Sequence, residues 1–296
     1  MRHITRDTTH VLISHTSIAI GKITRRWPFS DSATPPSFAP FSLTIGEPGI
    51  AGDDAIGFKT WGSSYLLAQN LPRLAAGPLS GLFVGEDMSC QRLGVRMLEL
   101  GAGTGLLGLA AAIMWRADVV LSDLAAVAPN LAANASANSA LVRQMGGSLT
   151  VGTLDWSRPN EFSVVSCERC CSTGKRDDDD DDDHHIDSID ESTEQYRLVM
   201  AADPLYDDDH PALLAGAIAA KTDFSFEDSR VVVAVPIRDS TTVRLLSDLR
   251  AAMCAQRPAL VCISDDWLLG EDDWEGAEED GTVKTWLGVF APAKQE

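Results

Sequence analysis

The chemistry most legible in this chain lies in ten consecutive residues: Leu98, Glu99, Leu100, Gly101, Ala102, Gly103, Thr104, Gly105, Leu106 and Leu107. Residues 95–100 form a short apolar run suited to a buried parallel strand, and Leu106, Leu107, Leu109, Ala110 and Ile113 recur at helical spacing. The glycines between them permit positive φ and let a ligand approach the backbone with no Cβ in the way. N–H groups freed at the helix start, with the helix dipole, favour a carboxylate or phosphate there. Asp123 ends a second apolar run twenty residues after Gly103. An acid at that distance is placed to accept hydrogen bonds from ribose hydroxyls, so turn and acid together predict an adenosine-containing ligand. Glu99, just before the turn, can help set it. Such turns also serve as plain strand-to-helix connections. The spacing here is G-x-G-x-G, with Leu106 where a nicotinamide or flavin site wants a third glycine.

Two further stretches carry polar residues to strand ends. Leu154-Asp155-Trp156 closes the third predicted strand. Ligands of doubly wound sheets sit outside the carboxyl ends of strands, so Asp155 can accept from an adenine amino group while Trp156 packs on the ring face. Residues 199–206 form a strand ending in Ala202-Asp203-Pro204-Leu205-Tyr206. Pro204 biases Asp203 toward an extended conformation. The Asp203 carboxylate, a backbone carbonyl and the Tyr206 ring can then surround one small cavity suited to an amine nucleophile. Taken singly, the first stretch also reads as a solvated Asp beside a half-buried Trp, and the second as an ordinary Asp-Pro turn.

The elements that must position these residues alternate along the chain. Strands are expected at 95–100, 119–122, 148–154, 196–201, 230–236, 259–264 and 283–290, and helices near 105–115, 126–140, 210–221 and 239–255. This pattern describes an α/β fold: a doubly wound, mostly parallel seven-stranded sheet with helices on both faces. Upstream, Trp61-Gly62-Ser63-Ser64 precedes the apolar Tyr65, Leu66, Leu67 and Ala68, and Ser63 or Ser64 can cap a helix there. Residues 8–26, broken at Gly21-Lys22, can form a hairpin, and 27–48, with its prolines and serines, reads as an irregular connector. The expected organisation is an N-terminal extension over 1–54 and one domain over 55–296.

The net charge of −19 is concentrated. Eleven of the acids fall between 177 and 194, a stretch without Lys or Arg, and without them the charge is −8. That residual acidity argues against nonspecific binding to nucleic acid or to an anionic membrane, and is compatible with a basic partner protein. Residues 167–194 have no apolar periodicity and cannot bury enough surface to offset ordering entropy, so they are expected to be a disordered insert. No apolar run approaches the roughly 18–20 residues of a membrane span, and no secretory signal is evident. Six cysteines in 296 residues suit reduced thiols in a cytosolic or nuclear setting better than a disulfide scaffold. Cys167, Cys170 and Cys171 with His184 and His185 match no closed structural zinc site well, and no metal is expected.

Together these features resemble the seven-stranded S-adenosylmethionine-dependent methyltransferases, and more narrowly the protein-lysine methyltransferase group called family 16. The resemblance spans residues 55–290 and rests on Trp61 in Lys59-Thr60-Trp61-Gly62, the turn from Glu99 through Gly101, Ala102 and Gly103 to Leu106, Asp123, the Leu154-Asp155-Trp156 element, and a D-x-x-Y signature at Asp203 and Tyr206 preceded by Ala202. It implies S-adenosyl-L-methionine as cofactor. Trp61 and the backbone of Gly101, Ala102 and Gly103 would hold its methionine end, Asp123 the ribose, and Asp155 and Trp156 the adenine, with Ala202 against it. Asp203 would orient an attacking lysine and Tyr206 line its channel, water taking the proton. Asp203-Pro204-Leu205-Tyr206 followed by Asp207, Asp208, Asp209, His210 and Pro211 is similar to fungal members that methylate translation elongation factors. The implied protein is a monomer acting on a protein substrate in the cytoplasm, with the nucleus as a second setting. The alternatives are a small-molecule N-methyltransferase, a cofactor-binding module without activity, and a nicotinamide-dependent dehydrogenase, the last disfavoured by Leu106. The acidic insert and the long N-terminal extension depart from compact members and bear on substrate choice.

Overall fold

The computed structural model describes residues 21–30, 38–49, 57–83, 95–167, 194–271 and 282–293. Two strands come first. Ile23–Phe29 (β1) pairs antiparallel with Phe41–Glu47 (β2), Phe29 lying opposite Phe41. This corrects the expected irregular connector: in β2, Phe41, Leu43 and Ile45 are buried while Ser42 and Thr44 are less so, an inside-outside alternation that favours a strand. Its flanking prolines, Pro40 and Pro48, fall just outside it. The observed pairing is not a hairpin about Gly21-Lys22, and residues 8–20 lie outside the described residues.

Gly62–Ala76 (α1) follows, with Trp61 at its N-cap. Neither Ser63 nor Ser64 caps it; both sit inside the first turn, and the Ser64 hydroxyl donates back to the Trp61 carbonyl at 2.8 Å. The remaining elements alternate as Arg96–Leu100 (β3), Leu106–Met114 (α2), Asp118–Asp123 (β4), Ala128–Met145 (α3), Ser148–Leu154 (β5), Phe162–Cys167 (β6), Leu198–Ala202 (β7), His210–Lys221 (α4), Arg230–Ile237 (β8), Ser240–Ala255 (α5), Leu260–Glu271 (β9) and Thr282–Pro292 (β10).

The last eight strands form one sheet in the order β6-β5-β4-β3-β7-β8-β10-β9. Pairing from β5 through β8 is parallel, whereas β6, β10 and β9 join antiparallel. The doubly wound α/β fold stands, with an eighth strand at the edge. That strand, β6, was hidden because residues 163–166 are all exposed and give no alternation, and its last residue, Cys167, had been assigned to the acidic insert.

Helices α1, α2 and α3 cover one face of the sheet and α4 and α5 the other, each over its own apolar cluster. Every residue of α2 is buried, so it needs cover on all sides. The β1–β2 pair supplies part of that cover, with Leu43 and Ile45 fully buried in the same cluster. Asparagines at every fourth position of α3 fix it there. Asn134 accepts from the Gly46 N–H at 2.8 Å and donates to the carbonyls of Gly46 and Thr104, and Asn138 exchanges two 2.9 Å bonds with the Thr44 backbone. Strand order reverses between the parallel neighbours β3 and β7, so a crevice opens beyond their carboxyl ends.

Candidate active site

The turn after β3 carries three left-handed glycines, Gly101 at φ 64°, Gly103 at φ 56° and Gly105 at φ 88°. A Cβ on Gly101 would stand 3.0 Å from the Trp156 ring, so the missing side chain is what lets that indole close over the turn. Several N–H groups in and around the turn are taken by the protein itself. Gly103 donates to Asp123 Oδ2 at 2.7 Å, Leu124 to Asp123 Oδ1 at 2.7 Å, Gly108 to Glu99 Oε2 at 2.8 Å, and Ala102 to the Ser122 carbonyl at 3.0 Å. Glu99 thus reaches into the first turn of α2 and takes one of the N–H groups expected to face an external carboxylate or phosphate. Burial of Glu99, reinforced by the neighbouring Asp123 charge, pushes its carboxyl up to about 8 against the pull of the Gly108 N–H. Burial likewise raises Asp123 to about 6, opposed by its two backbone donors.

At the end of β7, Asp203 is buried with φ 56°. The extended conformation expected before Pro204 is not adopted. The Asp203 N–H donates to the Ala234 carbonyl on β8 at 2.8 Å, and Asp is among the few side chains that tolerate left-handed backbone. Its carboxylate is gripped by Arg238, whose two terminal nitrogens donate to Oδ1 and Oδ2 at 2.9 and 2.5 Å. Tyr206 is half exposed, its ring edge-on to His210 at 4.3 Å, and His210 in turn meets Trp156 at 5.5 Å. Partial burial and the charges of Asp123, Asp203 and Asp207 push the Tyr206 phenol up to about 12. Asp155 is exposed, and Ser157 donates to its Oδ1 from both backbone and hydroxyl, holding the carboxyl below its usual range.

The far wall comes from the segment before α1. The Thr60 N–H donates to Glu47 at the end of β2, and its hydroxyl shares a 2.9 Å bond with Thr104 in the glycine turn. Trp61 is thereby set with Lys59 Nζ 4.7 Å and the Arg238 guanidinium 5.0 Å from its ring centre.

All of Trp61, Glu99, Gly101, Ala102, Gly103, Asp123, Asp155, Trp156, Ala202, Asp203 and Tyr206 line one cleft of about 190 Å³, although they come from five separate stretches of chain. Lys59, Thr104, Leu124, Pro204, His210 and Leu213 are among the other residues that line it. Sequence reasoning missed Arg238, which backs the wall through Asp203. Its signal was a strand, 230–236, ending at the same edge beside β7, followed by a basic residue and the helix-capping Asp239. Among the described residues no group of His, Cys, Asp and Glu could hold a metal ion. Cys170, Cys171, His184 and His185 lie outside the described residues, and of Cys167 only the backbone is described.

A cleft of this make-up offers carboxylate acceptors, an indole wall and a glycine floor, which fits a nucleoside with no phosphate attached. Residues 41–168 match the lysine methyltransferase family model. That segment contains Trp61, the glycine turn, Asp123 and Leu154-Asp155-Trp156; Asp203 and Tyr206 lie beyond it. The chain is 40% identical over 118 residues to the protein-lysine N-methyltransferase rrg1 of Schizosaccharomyces pombe, covering 40% of this chain and 34% of that one. It is 27% identical over 257 residues to the protein-lysine N-methyltransferase EFM2 of Saccharomyces cerevisiae, covering 82% of this chain and 49% of that one. The chain thus spans about a third and about half of these two relatives. Among solved structures, the methyltransferase SMU.776 complexed with SAH superposes with TM-score 0.46 at 12% identity, over 84% of this chain and 54% of that one. TrmN of Thermus thermophilus does so at TM-score 0.44 and 15% identity, over 77% and 48%. At these values neither likeness bears on function. No helix among the described residues is long and apolar enough to cross a membrane.

Proposed function

We propose that the cleft binds S-adenosylmethionine and that the protein transfers its methyl group to the side-chain amine of a lysine in a protein substrate. The observation that carries the reading is the Asp123 carboxylate at the end of β4, held by the Gly103 and Leu124 N–H groups and lining the cleft together with the Trp156 indole, which keeps an acceptor for ribose hydroxyls beside a ring face for the base. The match of residues 41–168 to lysine methyltransferases, and the names of the two fungal relatives, support the choice of lysine.

Asp123 accepts from the ribose, with one oxygen already fixed by each of two backbone donors. Trp156 covers the base beside Asp155, while Trp61 and the Gly101, Ala102 and Gly103 backbone border the methionine end. When bound, S-adenosylmethionine supplies a methyl group on a sulfonium, which a neutral amine displaces with the carbon–sulfur electron pair staying on sulfur. The lysine enters past Tyr206 and His210, whose rings border its alkyl chain, and Asp203 orients its nitrogen. A free lysine holds its proton to about pH 10.4, so the site must favour the neutral amine, and the departing proton goes to water. The resemblance of the D-x-x-Y stretch and the acids after it to fungal members that methylate translation elongation factors supports such a factor as the substrate, and that substrate favours the cytoplasm, with the nucleus second. The test is to incubate the protein with labelled S-adenosylmethionine and a lysate from cells lacking it. A labelled protein band that vanishes with Asp203→Ala supports the reading, and labelling confined to small metabolites overturns it.

A further inference from the structure

The least expected feature of the cleft is that the one carboxylate placed beside the incoming nitrogen arrives already paired. Arg238 meets Asp203 through a two-pronged contact in which both side chains are buried, about nine-tenths or more. The arginine is itself fixed. Its N–H donates to the Thr242 hydroxyl at 3.0 Å, and Thr242 forms a reciprocal cap with Asp239 at the start of α5. Its guanidinium faces the Trp61 ring, so a single side chain joins the wall before α1, the end of β7 and the end of β8.

We propose that Arg238 is a positioning residue acting through Asp203: it locks the carboxylate in one orientation and cancels its charge, so that the cleft receives a lysine amine without stabilising the protonated form. The proposal rests on the reading of the cleft as a lysine methyltransferase site. An isolated carboxylate in that position would attract an ammonium and hold its proton, opposing the reaction; a carboxylate already paired with a guanidinium can still accept one hydrogen bond while contributing little net field. Arginine suits this because its planar fork takes both oxygens at once and it stays charged throughout the working range. The other titratable groups lining the cleft are Tyr206 and His210 from the β7–α4 segment, Asp123 and Glu99 from the glycine-turn side, Asp155 after β5, and Lys59 before α1, and the Asp207 charge reaches Tyr206 from the β7–α4 segment. Of these, Asp123, Asp155 and Asp207 would retain an ammonium, which makes cancellation of a further charge at Asp203 more consequential.

The test is the pH profile of methyl transfer from labelled S-adenosylmethionine to the protein band labelled in the lysate assay, for wild type, Arg238→Met, Arg238→Lys and Asp203→Asn. Arg238→Met should move the midpoint of the rising limb up by about one pH unit, with a roughly tenfold loss near neutrality that is largely recovered in alkali. Asp203→Asn, which leaves the arginine uncompensated, should move the midpoint down by a similar amount in its residual activity. Arg238→Lys, which keeps the charge and loses the fork, should lower the rate while leaving the midpoint in place. Losses that are uniform across pH in Arg238→Met, or an unmoved midpoint in Asp203→Asn, would overturn the proposal. Calorimetry with S-adenosylhomocysteine separates the two readings, because a wild-type protein that fails to bind it overturns the methyltransferase assignment itself.

Discussion

The Gly103 N–H and the Asp123 carboxylate, twenty residues apart in sequence, meet at 2.7 Å and tie the glycine turn to the end of the adjacent strand. The same carboxylate fixes the Leu124 N–H. Replacing Asp123 with Ala therefore removes both the ribose acceptor and the clamp on the turn. Loss of hydrogen bonds to a charged acceptor is worth about 1.5–3 kcal/mol, so affinity for S-adenosylhomocysteine should fall roughly 10- to 100-fold. Titration calorimetry checks it, and an unaltered affinity would remove Asp123 from the site.

Gly101 tests the floor of the cleft. With φ 64° and the Trp156 ring 3.0 Å from where a Cβ would stand, Gly101→Ala strains the backbone by about 1–2 kcal/mol and pushes the indole outward. Ligand affinity should drop and tryptophan emission should change, and Gly101→Val should do both more strongly. Equal affinity in all three proteins would show that the close approach is incidental.

Glu99 gives a pH dependence with a definite sign. In the folded protein its carboxyl keeps a proton up to about 8, whereas an ordinary one loses it near 4.5. Between those values the folded state binds more protons, so stability declines as pH rises from about 4.5 to about 8. Asp123 adds a slope of the same sign between 3.8 and about 6. Glu99→Gln keeps an acceptor for the Gly108 N–H and has no charge to bury, so its melting temperature should fall less steeply between pH 5 and pH 8. Parallel curves for the two proteins would contradict the raised value.

Asn134 joins three backbone groups that have no water to turn to: the N–H and carbonyl of Gly46 and the carbonyl of Thr104. Asn134→Leu should cost about 2–4 kcal/mol and lower the melting temperature by several degrees, because it leaves buried polar groups unpaired. Since Thr104 also bonds Thr60 beside Trp61, cofactor affinity should weaken with it. A variant as stable as wild type would mean that the Asn134 amide does not hold β2 to α3.

What could be read from sequence was local. The turn from Glu99 to Leu106, Asp123, and the strand endings at Asp155 and Asp203 announce themselves by residue type within a few positions of an apolar run, and a doubly wound sheet must gather such endings at one rim. Features that depend on partners distant in the chain were not legible. Arg238 finds Asp203 across 35 positions, and that grip, with the bond from Asp203 to Ala234, outweighs the extended preference that Pro204 imposes. The position of Glu99 at the turn is legible, but its hydrogen bond to the Gly108 N–H inside α2 depends on how the helix folds back over the strand. The strand at Phe41–Glu47 was masked by neighbouring prolines, and the four-residue spacing of Asn130, Asn134 and Asn138 was a signal that could have located its docking face.

The central claim is that this cleft methylates lysine. Its most direct test is mass spectrometry of the protein band labelled in the lysate by wild-type enzyme and absent with Asp203→Ala. The account predicts methyl groups on the side-chain nitrogen of a lysine in that protein. Methylation found instead on arginine, histidine or a chain terminus, or equal labelling by the Asp203→Ala variant, would contradict it.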